Sequence, residues 1–247
     1  MYQQFSGVYD LLMQEVDYDA WASYLTEILK ERDIVPGKTI LECACGTGEL
    51  TWRLADAGYR MIASDLSSDM LRIAQEKCRN KGLRIPFVEQ AMEELSCHKA
   101  VDAIVAACDG VNYLTEESQL LAFFNRAYAA LRPGGIILFD VSSQYKLSTV
   151  LGCNTFGEDG KDVAYLWKNM YDEESRLLEL NLSFFVRKGQ LYERFEEQQI
   201  QRAYSQDELL SAFESAGFIN GKAYAFGTMD APCCNTERIQ LIGRKPL

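Results

Sequence analysis

Between residues 39 and 141 the chain repeats one motif: a short apolar run, a turn, an amphipathic segment of about a dozen residues, and another apolar run. "TILEC" is followed by "GELTWRLADAG" and "YRMIASD" by "SDMLRIAQEKCRNKG"; "RIPFVEQ" and "VDAIVAAC" come next, then "TEESQLLAFFNRAYAAL" and "IILFDV". Short runs without polar alternation are strands buried on both faces, and the 3.6-periodic segments between them are helices. Strands separated by helices run in one direction, so the pattern predicts parallel βαβ units in a doubly wound α/β sheet. The punctuation agrees. Ser67 and Thr115 stand where N-caps belong, Gly58 and Gly82 where helices stop, and "RPGG" ends the last helix. Upstream, residues 18–33 place Trp21, Tyr24, Leu25, Ile28 and Leu29 on one helical face.

After Val141 the texture changes. Residues 143–203 hold three extended stretches, "VAYLWKNMYD", "RLLELNLSFFVRKG" and "LYERFEEQQIQRAY", separated by "DEES" and "KGQ". Alternation in "LELNLSFF" and a glycine at 189 predict antiparallel hairpins. A helix, "SQDELLSAFESAGF", and a strand pair, "KAYAF" with "ERIQLIGRK", then resume the core. The expected organisation is a core of residues 1–142 and 204–247 interrupted by an antiparallel β insertion at 143–203.

A net charge of −11 opposes binding to phosphate backbones and anionic membranes. The N-terminus lacks a basic segment leading into an apolar run, and no stretch of about 18 apolar residues occurs. The expectation is a cytoplasmic protein, monomer or homodimer, with no nucleic-acid or membrane partner. The eight cysteines include no Cys-x-x-Cys pair, and His98 is the only histidine, so reduced thiols are expected and no metal site. Cys233 and Cys234 receive no role. One histidine also weakens any Ser-His or Cys-His nucleophile scheme.

The first strand ends at Glu42, and the chain then runs Cys-Ala-Cys-Gly-Thr-Gly into a helix. Glycines at 46 and 48 allow positive φ and close approach of a ligand. Asp65 ends the second strand 23 residues after Glu42, where an acid suits a ribose diol. Nicotinamide folds and other nucleoside-binding folds share that acid, so the turn must separate them. A dinucleotide loop wants a third glycine where Glu49 stands, and two carboxylates, Glu42 and Glu49, would repel a pyrophosphate. They suit an adenosine cofactor with a cationic end.

The chain resembles the class I S-adenosylmethionine-dependent methyltransferases. "LECACGTGEL", "IASDLSSDML", "EQAMEEL", "VDAIVAACDGVNYL" and "LRPGGIILFDV" match that family's motifs in order, and "SAGF" leading to "ERIQLIGRK" matches its closing pair. The resemblance implies a seven-stranded, mostly parallel sheet with a reversed last hairpin and S-adenosylmethionine as cofactor. It implies that Glu42, Ala44, Gly46 and Gly48 hold the methionine portion and Asp65 the ribose. Leu66 and Met70 would lie near the adenine, Met92 and Glu93 would flank it, and Asp109 would lie by the sulfonium. Alanine at 91 departs from the acid the family often carries there. Tyr9 resembles an N-terminal tyrosine that reaches the cofactor carboxylate in some relatives; core packing is the alternative.

An activated methyl donor asks the protein for proximity and orientation rather than a catalytic triad, and no catalytic residue is named. The resemblance implies that the insertion at 143–203 is a lid over the acceptor site; Asn112 and Tyr113, with Tyr145, Tyr165 and Trp167 from the insertion, are the candidate acceptor contacts. The expected acceptor is a small molecule. The alternatives are a methyltransferase of protein or tRNA, and a non-catalytic S-adenosylmethionine-binding protein.

Overall fold

A computed structural model describes residues 6–247. Two helices, α1 (Ser6–Leu12) and α2 (Tyr18–Glu31), lead into β1 (Thr39–Cys43), α3 (Glu49–Asp56), β2 (Arg60–Asp65), α4 (Ser68–Asn80), β3 (Phe87–Glu89), β4 (Val101–Ala106), α5 (Glu117–Ala130) and β5 (Leu131–Ser142). Four strands follow: β6 (Thr155–Asp159), β7 (Val163–Asp172), β8 (Leu177–Lys188) and β9 (Leu191–Arg202). The chain closes with α6 (Gln206–Ser215), β10 (Ile219–Ala225) and β11 (Arg238–Arg244). No helix among the described residues is long and apolar enough to cross a membrane.

The expected helix signals operate, with one substitution. Ser67 accepts the Met70 N–H and opens α4. At α5 the cap is Glu116 rather than Thr115: it forms a capping box with Gln119, whose Oε1 accepts the Glu116 N–H at 3.1 Å. A carboxylate fills the same role as a hydroxyl and also favours the positive helix end. The "RPGG" segment lies inside β5 rather than before it. It is a bulge, pairing Val101 with Leu131 and then Ala103 with Ile136, and its Gly134 N–H (φ 77°) donates to Lys245 and Pro246.

Seven strands form one sheet in the order β10-β11-β5-β4-β1-β2-β3, parallel except that β11 runs against β5 and β10 against β11. Alternate residues face two separate cores. Leu41, Ile104 and Phe139 meet α5 and α6 through Phe123, Phe124 and Phe213. Ile40, Val105 and Leu138 meet α2 and α3 through Leu25, Leu29 and Leu54. Strand order reverses beside β1, which pairs with β2 on one side and β4 on the other. A crevice must therefore open at the carboxyl ends of these strands.

The antiparallel sheet, in the order β6-β7-β8-β9, has four strands, one more than the sequence suggested. β6 is short and exposed along its whole length, so it carries no hydrophobic alternation to read.

Candidate functional site

The turn after β1 holds three residues in the left-handed region: Ala44 (φ 52°), Gly46 (φ 53°) and Gly48 (φ 77°). Alanine there is strained, which glycine would avoid. Beside Gly46 a Cβ would meet nothing within 4 Å, whereas at Gly48 it would lie 2.9 Å from Ala74 Cβ. Gly46 leaves open space, and Gly48 lets α3 close on α4.

Glu42 is buried and accepts a 2.5 Å hydrogen bond from Thr51. Burial pushes its carboxyl up to about 8, against the pull of that bond. Asp65 accepts the Gly46 N–H at 2.8 Å and the Ser67 N–H at 2.9 Å, so it shapes the turn as well as facing the crevice. Burial raises its pKa and these bonds oppose the rise. Glu49 is ion-paired to Lys77 and Arg53, which hold it below the usual range despite its burial. Its charge is spent on α3 and α4.

Beyond β4, Cys108 (φ 59°) and Asp109 (φ 53°) are both left-handed. Asp140, at the end of β5, takes their N–H groups at 2.8 and 3.1 Å. Arg238, at the start of β11, bridges Asp109 (2.8 Å) and Asp140, and Gln201 donates to Asp109 at 3.0 Å. Burial pushes Asp109 up, but Arg238 and Lys146 outweigh it and keep the carboxylate below the usual range.

These groups surround one cavity of about 620 Å³ between the strand ends and the antiparallel sheet. Of the expected residues, Tyr9, Glu42, Ala44, Gly46, Asp65, Leu66, Met70, Met92, Glu93, Asp109, Tyr113, Tyr165 and Trp167 line it. Three expected residues do not line it. Gly48 packs against Ala74 instead. Tyr145 is outside the lining, and its neighbour Lys146 stands in it. Asn112 is fully buried: Nδ2 donates to the carbonyls of Ser142 (3.0 Å) and Arg202 (2.9 Å), and Oδ1 accepts the Ser142 N–H (2.9 Å). The helical turn Gly110–Tyr113 aims Asn112 inward and leaves Tyr113 on the cavity.

A family profile described as "Methyltransferase domain" matches residues 40–135. YqeM of Bacillus subtilis (strain 168), a methyltransferase by its name, is 34% identical over 97% of this chain and 95% of that protein. A similarly named protein of Geobacillus sp. (strain WCH70) is 36% identical over 99% of both. The solved structure of an S-adenosylmethionine-dependent methyltransferase from Clostridium acetobutylicum ATCC 824 superposes with a TM-score of 0.89 at 31% identity, covering 100% of this chain and 99% of that one. The chain belongs to the class I S-adenosylmethionine-dependent methyltransferases.

S-adenosylmethionine is the cofactor of this methyltransferase, and its cavity fits such a molecule. The volume lies in the range of small-ligand sites. Gln90, just past β3, lines the cavity; its Oε1 accepts from Ser96 (3.1 Å), while its buried Nε2 has no partner among the described residues. A buried amide N–H without an acceptor is costly, and an adenine ring nitrogen is such an acceptor. Gln90, Lys146, Gln201 and Arg238 were all missed in the sequence. Gln90 directly follows β3 as Asp65 ends β2, so the strand-end rule could have found it. Arg238 begins an antiparallel strand, whose opposite end meets the crevice.

Proposed function

We propose that the methyltransferase alkylates a small-molecule acceptor held between the carboxyl edge of the large sheet and the inner face of the β6–β9 sheet. The observation that carries this reading is the shared cavity: Gly46, Asp65 and Gln90 line it from β1, β2 and β3, while Tyr165, Trp167, Leu180 and Phe184 line it from the second sheet. An acceptor in that space is covered by the insertion, as suits a small molecule better than an extended chain. The enzyme is read as cytoplasmic and as a monomer or homodimer, and its charge of −11 supports engagement of neither nucleic acid nor anionic membrane.

On the cofactor side, Glu42 and the turn at Ala44 and Gly46 receive the methionine portion, and Asp65 the ribose. Leu66, Met70 and Met92 enclose the adenine with Gln90 and Glu93, whose Oε1 is fixed by Gln119 at 3.0 Å. Tyr9 closes the same side from α1. S-adenosylmethionine brings a methyl group already activated by its sulfonium. The protein orients and desolvates the nucleophile, the main tasks in such a displacement. Asp109, held ionised by Arg238, is a weak base but a strong hydrogen-bond acceptor for an acceptor N–H or O–H. Tyr113, donating to Gln199 at 2.7 Å, borders the same space.

The test incubates the enzyme with S-adenosylmethionine tritiated in its methyl group and a bacterial extract separated by ultrafiltration into small molecules and macromolecules. Label appearing in the small-molecule fraction supports the proposal. Label confined to protein or RNA overturns it.

A further inference from the structure

Every charged side chain on the cavity wall except one is already engaged. Glu42 accepts from Thr51, Glu49 pairs with Lys77 and Arg53, and Asp65 takes two backbone N–H groups. Glu93 is held by Gln119, while Asp109 and Asp140 share Arg238. The exception is Lys146, whose Nζ makes no hydrogen bond or ion pair with any described residue. Lys146 is half-buried and lines the cavity, so its unpaired ammonium is available to a ligand there.

Position separates this lysine from the cofactor half. Gly46, Asp65 and Gln90 follow β1, β2 and β3, whereas Lys146 follows β5, on the far side of β4 in the strand order. Asp109 and Arg238, which act on its charge, line the same cavity, as do Ser142 and Gln201. The guanidinium of Arg238 is balanced by two carboxylates and offers little to an incoming anion. Trp167 lines the same cavity, and its buried indole N–H has no acceptor among the described residues, so a second donor is available.

We propose that Lys146 recognises a negatively charged group, a carboxylate or a phosphate ester, carried by the methyl acceptor. This rests on reading the β4–β5 half of the cavity as the acceptor side. The anion is a handle rather than the nucleophile, because pairing with an ammonium would lower its reactivity. Burial and the nearby Arg238 pull the lysine below its usual range, while Asp109, Glu237 and Asp140 pull the other way. A bound anion would pull it back up. In a chain of net charge −11 this lysine also supplies local attraction against long-range repulsion.

The test uses protein loaded with S-adenosylhomocysteine and titrated calorimetrically with methyl phosphate, acetate and neutral acetamide. Wild type, Lys146→Met and Lys146→Arg are compared. At least one anion should bind wild type and weaken by about fivefold or more in Lys146→Met, equivalent to about 1 kcal/mol. Lys146→Arg should recover it, acetamide should not discriminate, and S-adenosylhomocysteine should bind all three alike. The anion that binds distinguishes phosphate from carboxylate. Equal anion affinity in wild type and Lys146→Met, or no anion binding to wild type, overturns the proposal. So does a loss of S-adenosylhomocysteine affinity in Lys146→Met that arginine restores, since the lysine would then serve the cofactor. Failure of wild type itself to bind S-adenosylhomocysteine would instead sink the underlying reading of the cavity.

Discussion

Binding of S-adenosylmethionine should expel a proton from Glu42. In the free protein this carboxyl is buried and titrates near 8, so at pH 7 about nine molecules in ten carry the proton. An ammonium placed against it stabilises the carboxylate and returns it toward its ordinary value of 4.5. About 0.9 proton is then released per cofactor bound at pH 7, and the affinity rises close to tenfold between pH 6 and 7. This window keeps an α-amino group, with its ordinary pKa near 8, mostly protonated. Titration calorimetry in buffers of different ionisation enthalpy counts the protons directly. Glu42→Gln keeps the shape and an acceptor for Thr51 but cannot ionise, so its proton release and affinity slope should both vanish. A wild-type count near zero, or an equal count in Glu42→Gln, would refute the pairing of Glu42 with the ammonium. The same group has a consequence for the free protein. Because the native state keeps a proton that the unfolded chain gives up, stability falls as pH rises from about 4.5 to about 8. The slope approaches 1.4 kcal/mol per pH unit within that window, and Glu42→Gln should flatten it in urea melts.

Asp65→Ala should weaken cofactor binding by roughly 1.5–3 kcal/mol, the range for hydrogen bonds to a charged group, and an unchanged dissociation constant by calorimetry would remove its ribose role. It should also lower the melting temperature, because the Gly46 and Ser67 N–H groups lose their partner. Gly48→Ala combines a left-handed backbone with a 2.9 Å approach to Ala74, so thermal melts should show a loss of about 2–4 kcal/mol. Gly46→Ala, with open space, should cost only about 1–2 kcal/mol in the same melts while impairing cofactor binding, measured by calorimetry. Arg238→Met leaves Asp109 and Asp140 without their counter-charge and should cost about 3–5 kcal/mol at neutral pH. That penalty should shrink in urea melts at lower pH, as protonation removes the orphaned charge.

The strands β1 to β5 were legible because buried parallel strands are uninterrupted apolar runs, and the caps between them carry their own chemistry. Gly46 and Asp65 were legible for a related reason: parallel strands deliver their last residues to one edge. The same logic explains the misses. β6 lies exposed and shows no alternation, while the Pro-Gly-Gly segment reads as a stop yet is a bulge within β5. Asn112 looked like a polar residue at the mouth of the site, but a single turn of helix rotated it into the interior. Lys146 and Tyr145 are adjacent in sequence, and only the coil of residues 146–151 decides which of them faces the cavity. Arg238 reaches the site from an antiparallel strand that the parallel rule does not address.

The three bonds of Asn112 join Ser142, where the chain leaves the large sheet, to Arg202, where it comes back. Nearby, Arg202 Nη1 donates to the Thr115 carbonyl and the Tyr204 hydroxyl to the Leu114 carbonyl. Departure and return are thus riveted to one turn, and the segment between them is tied back again by Arg176 on Glu208 and by Val163 and Phe184 packed with Val8 and Met70. An exchange of the second sheet would therefore have to reproduce both that seam and the distal contacts with α1, α4 and α6.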